Sequence, residues 1–498
     1  MRGVLIALGV AVAAAAAFAV AVYVWSGASL VSDPSALARV RLETFAGSVA
    51  RVRGSVPLAV HDGRLTPRRQ VRPGQTVSIT VVVRRPGWSA WALGRERTER
   101  LTVTAPVAHV VDRWPAGPRP RVRFDAAVAR VTLDGRAAAP SGRSVTLPAK
   151  APAGTALVAA AARPWEELGA PVRVTWFPRS DGQVAFAEPK PGSELSPLEP
   201  LRLTFSQPVG DERPTLSPAV PGSWHVSDSH TLVFHPGGFG ARFDTTETVR
   251  FRQPVDVVGG RAWHVAPASF LRLQQLLAEA GYLPLSWSSH EADVPRSPAG
   301  ELRAATDPPA GKFSWRYPNT PHELVSLWKT GEPNEIVRGA VMMFQHDHDL
   351  TVDAIAGPRV WRALITDAVQ GRHRDDGYSY VYVHRAVPQL LTLWHNGHVV
   401  LTSPGNTGVP AAPTQLGTWP VFEHIPVGRM SGTNPDGSHY DDPGIRWISY
   451  FHGGEALHAF NRASFGTPQS LGCVELPLES AAKVWPYTPI GTLVTIED

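Results

Sequence analysis

The sequence predicts a multidomain, mainly β protein in which a short helical segment separates tandem β-sandwich modules from a C-terminal β-rich region. With 498 residues the chain is too long for one hydrophobic core, since domains usually comprise about 100–200 residues. Its 47 prolines and 44 glycines indicate many turns. Short runs of alternating polar and apolar residues recur through the first half, which is typical of sandwich strands.

An apolar segment lies near the start of the chain. Residues 4–24 contain no charged residue and no proline, and about 20 apolar residues span a bilayer as a helix. Arg2 precedes the segment, and basic residues tend to stay cytoplasmic. We therefore predict a membrane anchor over residues 1–26, a tether over 27–34 and an extracytoplasmic remainder. A cleaved signal peptide is the alternative, although its apolar core is usually only about 7–15 residues long.

Three β modules follow, over residues 27–108, 109–180 and 181–260. Residues 75–83 and 98–104 predict strands of the first module, and Asp134-Gly135 predicts a hairpin turn in the second. The third module has predicted strands at 201–205 and 231–234 and resembles the bacterial immunoglobulin-like modules that precede wall enzymes. We interpret all three modules as spacers.

A helical region is predicted over residues 265–372. The spacing of Phe270, Leu273 and Leu277 predicts one face of a first helix. A second helix is predicted around position 343, and Pro358 suits the first turn of a third. The phrases at 273–283 and 344–364 resemble the three-helix peptidoglycan-binding domain. Roughly 60 residues separate these phrases, which predicts an inserted loop over the binding face.

Residues 346–349, with the sequence His-Asp-His-Asp, have the composition of a metal site. No third ligand motif accompanies the two histidines, so we interpret them as the polar end of a helix and predict no metal. The formal charge of +5 comes without a basic run, which argues against nucleic acid as a partner.

Cys473 is the only cysteine of the chain, so it cannot form an internal disulfide. A buried, inert thiol and a nucleophile are both consistent with composition alone. Thiol catalysis needs a base that takes the proton and N–H donors that face the oxyanion. The turn at Gly472 offers donors, and His458 and His452 are the candidate bases.

Residues 376–498 resemble the YkuD-type L,D-transpeptidase catalytic domain. Leu457-His458-Ala459 matches its histidine motif, and eleven residues later Ser470-Leu471-Gly472-Cys473 matches its cysteine motif. Two further motifs occur in the same order as in the family: the turn Pro413-Thr414 with Gly417, and the closing strand at 491–496. This spacing favours His458 over His452. Two residues depart from the family pattern: Leu471 replaces the usual histidine, and Glu475 replaces arginine or asparagine.

The resemblance implies a two-step acyl transfer that forms 3→3 cross-links between peptidoglycan stem peptides, without metal or organic cofactor. Cys473 is the implied nucleophile and His458 the general base and acid. The remaining implied site residues are the oxyanion and turn residues Leu471, Gly472 and Ser470 and the substrate-covering residues Met430, Tyr440 and His452.

Partners implied by the same resemblance are peptidoglycan glycan and stem peptides, and carbapenems as inhibitors. A non-catalytic wall-binding scaffold and a hydrolytic L,D-carboxypeptidase with the same Cys473 and His458 are the alternative functions.

Overall fold

The computed structural model describes residues 2–148, 151–211 and 213–498. The protein is mainly β and multidomain, as predicted. Helix α1 spans Arg2–Trp25, and its segment Ala7–Trp25 is long and apolar enough to cross a membrane. The side chain of Arg2, the expected cytoplasmic charge, lies outside the described part of the chain.

The first module consists of two packed sheets with the strand orders β1-β2-β5-β4 and β3-β6-β7. Its elements are β1 Ala28–Asp33, β2 Ala36–Leu42, β3 Ser48–Gly54, β4 Leu58–His61, β5 Arg64–Pro67, β6 Thr76–Arg84, α2 Gly87–Leu93 and β7 Glu96–Thr104. The tether predicted at 27–34 is wrong, because these residues form β1 and pair with β2. Val22 and Ser26 at the end of α1 are buried against this module, and Arg85 Nε donates to Ser26 Oγ at 2.8 Å.

The second module has the sheets β10-β9-β12-β13 and β11-β8. Its strands are β8 Arg121–Arg123, β9 Arg130–Leu133, β10 Arg136–Ala138, β11 Ser144–Thr146, β12 Gly154–Ala161 and β13 Val172–Trp176. The predicted turn at Asp134-Gly135 joins β9 to β10, with positive φ at both residues. Trp165 reaches from this module into the core of the first.

The third module packs the sheet β18-β19-β16-β14-β21 against the sheet β15-β22-β20-β17. Its strands are β14 Gln183–Glu188, β15 Glu194–Leu195, β16 Leu201–Phe205, β17 Thr215–Ser217, β18 Gly222–Asp228, β19 Thr231–Pro236, β20 Thr246–Arg250, β21 Val255–Val257 and β22 Ala262–Val265. The His230 ring stacks on Trp114 of the second module at 3.7 Å between centroids. Phe243 lies 5.6 Å from Trp361 of the helical segment by the same measure.

The helical segment contains the three predicted helices and an ordered insertion. Its elements are α3 Phe270–Glu279, β23 Leu285–Ser289, α4 Pro298–Thr306, β24 Gly311–Trp315, α5 His322–Ser326, α6 Glu335–Asp347 and α7 Pro358–Gln370. The loop predicted between the two helical phrases is wrong. It folds as the hairpin β23–β24 with two short helices, because Trp287 stacks near Phe313 and the buried Leu302 and Leu324 join the helical core.

The C-terminal region has two sheets, with the orders β27-β26-β25-β33-β28 and β29-β30-β31-β32. Its elements are β25 Ser379–His384, β26 Leu390–His395, β27 His398–Pro404, β28 Gly417–Pro420, β29 Glu423–Thr433, β30 His439–His452, β31 Glu455–Ala459, β32 Val474–Leu476, α8 Leu478–Val484, a short 3₁₀ helix at Trp485–Tyr487 and β33 Leu493–Glu497.

The helical segment and the first of these sheets share one hydrophobic core. Tyr380, Trp394 and Leu493 are fully buried among the side chains of the helices. Within this core Gly339 of α6 faces Gly491, just before β33. A Cβ on Gly339 would lie 2.4 Å from the Gly491 carbonyl oxygen. The two regions therefore pack backbone against backbone at this point.

Gly339→Ala should loosen this joint, because overpacking against a backbone oxygen costs about 2 kcal/mol and outweighs the gain in helix propensity. Peptide-resolved hydrogen exchange should accelerate roughly 30-fold, and the increase should be similar in α6 and in β33. Gly210→Ala is the control, since nothing lies within 4 Å of a Cβ there. Unchanged exchange in β33 would contradict a shared core.

Candidate active site

The candidate nucleophile, Cys473, lies directly before β32, which pairs with β31. These strands pair in parallel with Leu457 opposite Val474 and His458 opposite Glu475. Side chains alternate between the two faces of a sheet, so Cys473 and His458 belong to the same face. Gly472 supplies the bend into β32 with a φ of +114°, a conformation that favours glycine.

The segment between His458 and Cys473 is held by Asn406, which is fully buried. Its Oδ1 accepts from the Gly466 N–H at 3.0 Å, and its backbone N–H and C=O both bond to Glu475 at 2.9 Å. The Ser470 N–H donates to the Thr407 carbonyl at 3.1 Å. Asn406 and Thr407 therefore form a clamp behind the cysteine turn.

His458 is buried, with 3% of its surface exposed. Its Nδ1 lies 3.0 Å from the Ala459 carbonyl oxygen, which only accepts hydrogen bonds, so Nδ1 carries the proton. Nε2 is thereby left as the basic nitrogen. Burial lowers the pKa of His458, which keeps the ring neutral at pH 7.

Cys473 is half-buried as a whole residue, and its Sγ lies 3.6 Å from the Gly454 carbonyl oxygen. Burial of the sulfur by its surroundings raises the pKa of Cys473 to about 12, and the Ala456 N–H opposes this rise. The resting pair is therefore a neutral thiol and a neutral imidazole.

His452 faces away from this pair. A bulge in β30 shifts the register after Tyr450, so that His452 pairs with Glu455 instead of Gly454. Glu455 belongs to the face opposite that of Ala456 and Cys473. There the His452 Nδ1 lies 3.2 Å from Glu455 Oε2, and its ring lies 4.4 Å from that of Trp419.

The turn before Cys473 is stabilised by Ser470. Its Oγ donates to the Cys473 carbonyl at 2.5 Å and accepts from the Gly472 N–H at 3.2 Å. The Gly472 N–H, expected to face the oxyanion, is thus engaged inside the turn. Leu471 is 38% exposed and adds an apolar surface beside the nucleophile.

The predicted covering loop is instead the long hairpin β29–β30, paired from Glu423–Tyr450 to Thr433–His439. Met430 packs with Tyr450, Phe460 and Cys473 in one cluster. Burial raises the pKa of Tyr440, and the nearby Cys473 adds to that rise. Met430 and Tyr440 therefore lie near the cysteine and belong to strands; their role in covering a substrate stays a prediction.

Arg462 is the site residue that our reading of the sequence missed. Its Nε and Nη2 donate to both carboxylate oxygens of Glu475, at 2.8 and 2.7 Å, and Nη2 also donates to the Gln469 carbonyl at 3.2 Å. Glu475 is buried, and this fork explains how the β32 strand tolerates a carboxylate there. The departure at Glu475 was the signal that a cation had to lie nearby.

Among the described residues no group of three or more His, Cys, Asp or Glu side chains is arranged to hold a metal ion. His348 follows α6 as its C-cap, and its Nε2 lies 2.8 Å from Asp367 Oδ2.

The family profile of the L,D-transpeptidase catalytic domain, YkuD, matches residues 378–496. This match confirms the resemblance stated for residues 376–498; those stated for the upstream modules stay predictions. No curated protein matches the chain.

Solved L,D-transpeptidases align with the structure at low similarity. One from Mycobacterium smegmatis has 12% identity over 63% of this chain and 99% of its own, with a TM-score of 0.23. The catalytic domain of the E. faecium enzyme has 23% identity over 25% of this chain and 98% of its own, with a TM-score of 0.22. L,D-transpeptidase 3 from Mycobacterium tuberculosis, solved with a faropenem-derived adduct, has 12% identity over 63% of this chain and 97% of its own, with a TM-score of 0.22. At such scores only the family match and the geometry support functional inference.

Alkylation of Cys473 by iodoacetamide should accelerate with pH without levelling off near the ordinary thiol pKa of about 8.5. Because burial raises its pKa to about 12, the thiolate fraction keeps growing about tenfold per pH unit up to about pH 10. The control is Val226→Cys in a Cys473→Ala background, at a position that is 56% exposed. Its alkylation rate should level off near the ordinary thiol pKa. The same plateau for both thiols would contradict a neutral resting cysteine.

Arg462→Met should destabilise the cysteine strand, because it leaves the buried Glu475 carboxylate without its cation. The cost is about 3 kcal/mol, or roughly 100-fold faster amide exchange in β31 and β32. Adding Glu475→Gln should recover most of the loss. Arg429→Met, which breaks an exposed pair with Asp441, is the control and should cost under about 1 kcal/mol. Equal effects of the two arginine variants would refute a special role for Arg462.

Proposed function

Because residues 378–496 carry the YkuD L,D-transpeptidase catalytic domain, we propose that the chain is a cell-envelope L,D-transpeptidase that uses Cys473 as nucleophile and His458 as general base and acid. The single observation that supports these roles best is the His458 tautomer. Its Nδ1 proton is committed to the Ala459 carbonyl, and its basic Nε2 belongs to a residue on the same sheet face as Cys473.

In the first half-reaction the Cys473 thiol gives its proton to His458 Nε2 while the sulfur attacks a stem-peptide carbonyl. The bond attacked is the L,D-amide between the third and fourth stem residues. The N–H groups of Cys473 and Leu471 stabilise the oxyanion, since that of Gly472 is engaged with Ser470. When the intermediate collapses, protonated His458 gives its proton to the leaving amine, D-alanine departs and a thioester forms.

Burial of both groups favours proton transfer during the attack over a preformed thiolate–imidazolium pair. The raised pKa of Cys473 and the lowered pKa of His458 both disfavour separated charges before substrate binds. The negative charge then develops on the substrate oxygen, where the backbone donors lie. The thiol thus stays unreactive until a carbonyl is in place.

In the second half-reaction the side-chain amine of another stem's third residue attacks the thioester. His458 accepts the amine proton, the sulfur leaves as the thiol and a 3→3 cross-link results. Leu471, in place of the family's histidine, offers its backbone N–H and an apolar side chain. Together with Met430 and Phe460, it gives the acyl site an apolar wall.

The upstream parts fit delivery of this site to the wall. We assign α1 as a single-pass membrane anchor, the three β modules as spacers and the segment 265–372 as a peptidoglycan-binding unit. Burial of Val22 and Ser26 in the first module supports retention of α1, because cleavage between α1 and β1 would remove packed residues.

The full chain in detergent, incubated with a carbapenem, should gain the mass of one inhibitor on Cys473, and Cys473→Ala should gain none. His458→Gln should slow acylation about 100-fold or more, whereas His452→Gln, on the opposite face, should slow it far less.

With a disaccharide-tetrapeptide as substrate, the products should be D-alanine and a cross-linked dimer. No adduct on folded protein would refute the enzyme and leave a wall-binding scaffold, and a tripeptide without dimer would indicate a carboxypeptidase.

A further inference from the structure

Helix α2 of the first module has an inverted distribution of polar and apolar side chains. Trp91 is 84% exposed and Trp88 53% exposed, and the helix contains no charged residue. Its one polar side chain, Ser89, is buried, with Oγ donating to the Pro86 carbonyl at 3.2 Å. Two outward tryptophans beside an inward serine are the reverse of what water favours.

This apolar helix is continuous with α1 through a cluster of aromatic rings. The Phe45 ring lies 6.0 Å from Trp88, 6.1 Å from Phe18 and 6.3 Å from Trp25, between centroids. The Phe45 N–H also donates to the Trp25 carbonyl at 2.9 Å. The loop that carries Phe45 thus packs along the side of α1.

The position of Phe18 in the sequence fixes the depth of this contact in the bilayer. Phe18 belongs to the candidate membrane span Ala7–Trp25 and precedes Trp25 by about two helical turns, or about 10 Å of axis. A hydrocarbon core is about 30 Å thick, and its polar interfaces add several ångströms on each side. Side chains that contact Phe18 and Trp25 from outside therefore lie at the depth of the interface.

The residues around α2 suit anionic headgroups. Arg84 and Arg95 are exposed on either side of it. The Arg97 guanidinium lies 5.6 Å from the Tyr23 ring and donates to the Val24 carbonyl at 2.9 Å. Tryptophan and tyrosine are enriched at the interface, and arginines near it attract anionic lipid.

We propose that α2 is a second membrane contact, in which Trp88 and Trp91 insert into the interface of the same phospholipid bilayer that holds α1, with Arg84 and Arg95 at the level of anionic headgroups. This inference rests on the proposed anchor. The first module is then part of the membrane attachment, because both α1 and α2 contact the bilayer.

A nitroxide label measures the depth directly, because Cys473 is the only cysteine of the chain. In a Cys473→Ala background, Trp91→Cys, Val12→Cys and Val226→Cys are each labelled in the full chain and reconstituted into vesicles of phosphatidylcholine and phosphatidylglycerol. Val12 and Val226 are exposed positions on α1 and in the third module. The ratio of collision rates with oxygen and with a water-soluble nickel chelate is read by power saturation.

The ratio at 91 should exceed that at 226 severalfold and lie between those at 226 and 12. A lipid-like value at 12 with a value at 91 equal to that at 226 would overturn the α2 contact and leave the anchor intact. Shielding of 91 from both reagents would mean a protein partner on α2 and would also overturn the inference. A water-like value at 12 would refute the anchor and the inference with it.

Discussion

The parallel pairing of β31 with β32 holds His458 and Cys473 on one face of a sheet, and every other feature of the site is arranged around that register. The Asn406 clamp fastens the connection between the strands from behind, and the Arg462–Glu475 fork lies at the position opposite His458. A shift by one residue would move the thiol to the face that carries Glu455 and His452. The register therefore decides which histidine shares a face with the cysteine.

Burial gives the pair its chemical character. A thiolate next to an imidazolium would need solvation or countercharges, whereas the nearby carboxylates of Glu475 and Glu455 both oppose ionisation of the thiol. The groups are consequently held neutral, with the histidine tautomer set by a backbone carbonyl. Such an arrangement protects a lone thiol from oxidation, which proceeds through the thiolate. In the proposed mechanism the charge develops only when a substrate carbonyl is in place.

Much of the fold could be predicted from local sequence signals. The turn at Asp134-Gly135 and the helix start at Pro358 lie where the sequence predicts them. The tether at 27–34 and the inserted loop were wrong, because the pairing of β1 with β2 and the stacking of Trp287 near Phe313 are tertiary contacts. At the site, motif spacing favoured His458 over His452, but the Arg462 fork and the engaged Gly472 N–H depend on three-dimensional neighbours.

The joints between modules carry a mechanical consequence. Trp165 enters the core of the first module, Trp114 stacks on His230, Phe243 meets Trp361, and the helical segment shares its core with the first sheet of the C-terminal region. With aromatic packing at each joint, successive modules are held against one another. With α1 as the proposed membrane anchor, the distance of the thiol from the bilayer is set by this packing instead of by the random motion of a linker.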